Sequence, residues 1–303
     1  MPSRSSLARL LQLACLSQMA LALAWLAWRW EASPMQALAG AALILWMAPL
    51  VLGIEFAFVW HVARSDSAPR PSPLQLLLAW VSETRHLFHT FYWRQPFRWR
   101  AVPDHLQPSC AGTTGVVLVH GFMCNRGFWN AWMRHLRAHE RAFVAVNLEP
   151  VYGSVDDYAA AIDDAVARVT GCTGRPPLLV CHSMGGLAAR AWWRRCAGQH
   201  AVAAMVTIGT PHGGTWLARF SGRTNGRQMR LLSEWLDALS QHESNRPLPP
   251  ITCWYSNCDN VVFPPSTATL PGADNRFVPG KAHVALAFHP PVLQACMQLL
   301  ERS

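Results

Sequence analysis

Two long apolar runs open the chain, and beyond them the pattern changes to short hydrophobic bursts separated by amphipathic stretches. Residues 7–28, LARLLQLACLSQMALALAWLAW, carry one charge, Arg9; residues 35–60, MQALAGAALILWMAPLVLGIEFAFVW, carry one acid, Glu55. A helix needs about 20 apolar residues to cross a hydrocarbon core. Each run is long enough, and the short connector holding Arg29, Glu31, Ser33 and Pro34 makes a transmembrane helical hairpin the expected arrangement. Trp25, Trp28, Trp30 and Trp60 lie near the ends, where interfacial aromatics belong. The first run exceeds the apolar core of a signal peptide, about 7–15 residues, so an anchor is expected and not a cleaved leader. Glu55 is expected near the membrane face, where a carboxylate reaches water.

Residues 65–73, SDSAPRPSP, form a Pro/Ser linker. In residues 74–91 apolar positions recur at helical spacing, and the stretch ends in Trp, Tyr, Phe and Arg. That suits a helix lying on a bilayer surface, and equally one packed on the domain that follows. His86 and His89 stand about one turn apart without a third metal ligand.

From about residue 111 strands and helices alternate. TGVVLVHGF, FVAVNLEP, PLLVCHS, VAAMVTIGTP and ITCWYSNCD read as strands, and NRFVPG as the last one. GFWNAWMRHLRAHE, DDYAAAIDDAVARVT and GGLAARAWWRRCA read as helices, with Asp156 placed as a cap or first-turn acid. The alternation predicts an α/β fold with a parallel sheet covered on both faces. Three parts follow: a hairpin over 1–64, a linker and aromatic basic segment over 65–110, and a domain over 111–303. Ligands bind at the carboxyl ends of such strands. His120-Gly121, Ser183, Thr210-Pro211-His212 and Asp259 fall there. Residues 216–245 interrupt the alternation, with Leu232, Trp235, Leu236 and Leu239 on one predicted helix face; the segment is either a mobile lid or a fixed cap.

Composition sharpens the picture in two places. Charged residues are 14% of the chain, against about 25% for an average soluble domain. The deficit lies in the first sixty residues. Net charge is +9, yet no helix-turn-helix pattern, zinc-finger spacing or Lys/Arg block favours nucleic acid, so the expected partner of the basic surface is anionic lipid. Arg4 and Arg9 before the hairpin and Arg64 and Arg70 after it, against Arg29 in its turn, predict both ends on the cytoplasmic side of a bacterial inner membrane. The nine cysteines show no CxxC pair. They read as reduced, with Cys181 and Cys196 buried as small hydrophobes; Cys253 and Cys258 pair only in an oxidising space.

The chemistry gathers at PLLVCHSMGG, residues 177–186. A serine between a buried strand and a helix is the context of a nucleophile elbow, whose sharp turn exposes the hydroxyl. Gly185 and Gly186 let the helix start close to the sheet, and Cys181 stands where the motif usually has glycine. The steric demand there is for a small side chain, which cysteine meets. A hydroxyl also needs a base, and the base an acid. His283, after a Gly-Lys-Ala turn, is the expected base and Asp259 the acid, with Glu149 as an alternative acid or substrate-side group. Met184, directly after the nucleophile, offers one backbone N–H to an oxyanion. His120 and His212 are expected to organise loops.

From about Thr113 onward the chain resembles bacterial lipases and esterases of the α/β-hydrolase superfamily. The resemblance is carried by VLVHGF, CHSMGGLAAR, TIGTPHGGT, SNCDNVVFPPSTA and VPGKAHVAL, and by the order Ser, Asp, His. It implies an α/β-hydrolase fold and a triad of Ser183, His283 and Asp259, with Phe122 supplying the second oxyanion N–H. It also implies an apolar or lipid ester as substrate, no cofactor and no metal. An acyltransferase with the same triad and a non-catalytic membrane scaffold are the alternatives.

Overall fold

The computed structural model of the chain describes residues 5–196 and 200–302; Arg4 and the side chain of Cys196 lie outside them. Its centre is a six-stranded, wholly parallel sheet in the order β2-β1-β3-β4-β5-β6. The strands are β1 (Val116–Val119), β2 (Phe143–Ala145), β3 (Leu178–His182), β4 (Ala204–Ile208), β5 (Ile251–Tyr255) and β6 (Asp274–Phe277). Side chains alternate along a strand, so each strand serves two cores. Val117, Val119, Leu179 and Cys181 point to one face and pack against α7 (Ala159–Thr173) and α8 (Met184–Cys196). Val116, Leu118, Leu178 and Val180 point to the other, towards α6 (Asn130–Ala138) and α12 (Pro290–Arg302). Burial on both faces explains why the central strands read as unbroken hydrophobic runs.

The first apolar run forms one helix, α1 (Ser6–Trp30). The second forms two, α2 (Pro34–Leu45) and α3 (Met47–Val62), with a break at Trp46. Pro49 accounts for the break. A proline inside a helix clashes with the carbonyl four residues earlier but is tolerated in a first turn, so the helix restarts just ahead of it. Two segments, Ser6–Trp30 and Met47–Ser65, are long and apolar enough to cross a membrane.

These helices are docked on the sheet domain. Ser6 at the start of α1 donates through N and Oγ to the Glu149 carboxylate, at 2.9 and 2.6 Å. Further along, Gln12 donates to the Pro96 carbonyl and Tyr92 to Gln18, both at 2.7 Å. α4 (Pro73–Leu87) starts with a Ser72–Gln75 capping box, continues into a π-helical turn over Phe88–Arg94, and ends at the short α5 (Gln95–Phe97). Trp80 on α4 donates to the Pro49 carbonyl at 2.8 Å, which ties α4 to α3. Phe56 of α3 and Ala79 of α4 form an apolar cluster with Cys258, Ala282 and Ala285 of the sheet domain.

Residues 216–245 hold a 3-10 turn, α9 (Thr224–Gln228) and α10 (Glu234–Asn245). Leu236 and Leu239 are buried, but Leu232 does not share their face. Ser233 caps α10 by accepting from the Leu236 N–H, so Leu232 precedes the helix, at φ 56° and 89% exposed.

Candidate active site

The site is assembled at the carboxyl ends of the strands. Ser183 follows β3, which lies between β1 and β4 in the middle of the sheet. Its φ is +56°, a left-handed conformation that L residues adopt at a cost, and its N–H is held by the Ile208 carbonyl at 2.9 Å. The elbow is sterically tight. A Cβ added to Gly185 would lie 2.5 Å from the Val119 carbonyl oxygen, and one added to Gly121 would lie 2.6 Å from Ser183 Cβ. The loop carrying Phe122 therefore runs directly against the nucleophile turn. Cys181 is fully buried among apolar side chains, which shows how the elbow accommodates it.

Asp259 follows β5 and is buried. Its Oδ1 accepts from the Val261 and Val262 N–H groups at 2.9 and 2.7 Å, which leaves Oδ2 for His283 Nδ1 at 2.8 Å. Burial disfavours the imidazolium of His283. The Asp259 carboxylate, with Glu83 and Glu55 behind it, outweighs burial and holds the ring above the ordinary imidazole value.

A cavity of about 280 Å³ contains both Ser183 and His283. Phe122, Met123, Leu217 and Val261 line it from the sheet domain; Leu52, Glu55, Glu83, Leu87 and Phe91 line it from the N-terminal helices. A larger cleft of about 650 Å³ lies elsewhere, around Asp104, Arg126 and Arg168, whose charges are paired with one another. Among the described residues no group of three or more His, Cys, Asp or Glu side chains is placed to hold a metal ion.

Ser183, His283, Asp259, Met184 and Phe122 thus lie together. Glu149, the alternative acid, is bound instead by the start of α1. His86 stacks on Phe288 with ring centroids 5.5 Å apart. His120 bonds the Gly121 carbonyl through Nδ1 and accepts from the Leu148 N–H at Nε2, fixing the Phe122 loop. His212 lies between Arg190 and Thr207 and bonds both. Cys253 and Cys258 are both free, buried thiols.

Four more residues take part in the site: Glu55 and Glu83 lie outside the quoted motifs, and Asn260 and His182 lie inside them without an assigned role. Glu55 accepts from Asn260 Nδ2 at 2.7 Å and lines the cavity. Asn260 Oδ1 in turn accepts from the His283 N–H at 3.2 Å. Glu83 accepts from the Val284 and Ala285 N–H groups at 2.8 and 3.1 Å, and burial pushes it up to about 7. His182 lies between Phe128 and His283, each with centroids 4.5 Å away, and its Nε2 meets the His283 carbonyl at 3.2 Å. Burial, and then the neighbouring charge of His283, keep His182 neutral by lowering it well below the usual imidazole value.

Comparison with known proteins agrees with this architecture. The lipase of Bacillus licheniformis in its mature form is similar at 18% identity and a TM-score of 0.56, over 65% of this chain and 95% of that one. Lipase B of Aspergillus fumigatus is similar at 17% identity and a TM-score of 0.54, over 67% of this chain and 57% of that one. At such identities the likeness concerns the fold. No curated protein matches. The Alpha/beta hydrolase family matches residues 116–295, more than half of the chain and all six strands, and the chain belongs to that family.

Proposed function

We propose that this protein is a membrane-anchored serine hydrolase that cleaves carboxylic esters of lipids. The observation that carries the reading is the shared cavity: a serine in a left-handed turn opens onto the same apolar space as a histidine already paired with a buried aspartate. Ser183 attacks the ester carbonyl while His283 takes its proton at Nε2. Asp259 holds Nδ1–H and offsets the positive charge on the ring. The carbonyl oxygen becomes an oxyanion facing the N–H groups of Met184, at the start of α8, and Phe122. His283 returns the proton to the leaving alcohol, which leaves an acyl-Ser183. A water, deprotonated by His283, then releases the acid and restores the hydroxyl.

The substrate class is supported by the cavity wall. Leu52, Leu87, Phe91, Leu217 and Val261 suit an acyl chain and offer it no charge. Anchoring is supported by α1 and α3 and by the exposed apolar side chains along the N-terminal helices, among them Leu13, Leu16, Leu23, Trp28 and Met35. In a bacterial inner membrane, Arg9, Arg64 and Arg70 favour a cytoplasmic catalytic domain.

Fluorophosphonate labelling tests the reading. Wild-type protein in detergent should label on Ser183 and hydrolyse fatty-acyl esters, and Ser183→Ala should do neither. His283→Ala should lose about a million-fold in kcat, and Asp259→Ala about 10,000-fold. A folded wild type that does not label would sink the assignment.

A further inference from the structure

We propose that Glu83, together with the Glu55–Asn260 pair, positions the catalytic base: the N-terminal helices hold the His283 turn, and the base works at full rate only while they do. The proposal rests on the serine-hydrolase reading above. It starts from a missing cap. His283 begins α11 (His283–Ala287), and the residue before it, Ala282, has no side chain able to accept from the first-turn N–H groups. Such groups need partners when buried. Here two of them find partners more than two hundred residues away in the chain. The two Glu83 oxygens each take one N–H, Val284 at 2.8 Å and Ala285 at 3.1 Å, while Asn260 Oδ1 takes that of His283. Hydrogen bonds from N–H to a carboxylate are stronger than neutral ones.

The His283 backbone is also linked to the acid. Asn260 follows Asp259 directly, so the turn that holds the His283 ring also holds its backbone. Glu55 fixes the amide of Asn260 from α3. His283 is therefore gripped at its ring, its N–H and, through His182, its carbonyl. Part of that grip comes from residues outside the region that matches the family.

Glu83 and Glu55 also act through charge. The groups facing the His283 ring are Asp259 after β5, Glu83 on α4, Glu55 on α3 and the neutral His182 at the end of β3. The carboxylates favour the imidazolium. Glu83, pushed up to about 7, carries its charge above that value, where removing the charge lowers the pH at which His283 becomes a free base. A group that only fills space would leave that pH unchanged.

The experiment measures kcat, KM and the pH profile of the full chain in detergent with a medium-chain p-nitrophenyl ester. It covers wild type, Ser183→Ala, Glu83→Gln, Glu83→Ala and Glu55→Gln. Glu83→Ala should lower kcat by about 10- to 100-fold with KM little changed, and slow fluorophosphonate labelling in parallel. Glu83→Gln, which keeps one acceptor, should lose less and move the acidic limb of the profile to lower pH; Glu55→Gln should move it the same way. Wild-type kcat and an unmoved acidic limb in both glutamine variants overturn the proposal, even if Glu83→Ala fails to fold. A wild type as inert as Ser183→Ala removes the serine-hydrolase reading itself. That result is distinct from an active enzyme indifferent to Glu83.

Discussion

The segment between β4 and β5 and the α3–α4 pair both reach the cavity, but they are attached in opposite ways. The first contributes Leu217, and its long helix α10 is bound to α8 by a bidentate ion pair, Arg190 to Glu243 at 2.8 and 2.7 Å. The Arg190 side chain is fully buried and that of Glu243 is 13% exposed. The α3–α4 pair instead contributes two carboxylates and three apolar side chains to the cavity wall, counting the π turn that extends α4. Its ties to the sheet domain include a small apolar cluster, the stack of His86 on Phe288, Phe58 against Trp216 and Phe220, and hydrogen bonds made directly to the His283 turn and its neighbour Asn260. One segment is anchored to the scaffold, the other to the chemistry. The segment most able to change catalysis without changing the fold is therefore the N-terminal one.

Three substitutions press on this contrast. Glu243→Ala leaves a buried guanidinium without its carboxylate, with only His212 among the described residues bonded to it. It should cost about 3–5 kcal/mol of unfolding free energy, read by chemical denaturation. A loss below about 1 kcal/mol would mean that α10 is not held as described. Leu87→Trp places bulk in the cavity from the α4 side. Long-chain esters should lose about 10- to 100-fold in kcat/KM while short-chain esters change little, as a chain-length series would report. An equal loss for every chain length would take Leu87 out of the acyl path. Leu232→Ser, at an exposed position just before α10, should shift stability by no more than about 0.5 kcal/mol. A larger effect would reveal packing around α10 beyond its buried face.

Much of the sheet domain was legible because its signals are local. Hydrophobic bursts mark the central strands, Gly185 and Gly186 mark the elbow, Ser183 directly follows β3, and Asp259 and His283 lie in the loops after β5 and β6. The N-terminal contribution was not legible, for physical reasons. A single glutamate in an apolar run has no period, and its partner Asn260 is 205 residues away. Glu83 lies on an amphipathic helix whose pattern suits a bilayer surface as well as a protein one. The break at Trp46 depends on Pro49, which is compatible with a continuous apolar run until the backbone clash is considered. Leu232 fitted a helical face by spacing, but the cap at Ser233 sets where that helix starts.

The left-handed backbone of Ser183 is costly to keep. A non-glycine residue in that conformation costs about 1–2 kcal/mol, a sizeable share of the stability of an ordinary domain. Glycine would adopt the same turn without strain. Leu232 holds the same φ at an exposed position, so the strain alone does not mark a site. What sets Ser183 apart is that its strained turn faces a cavity shared with His283.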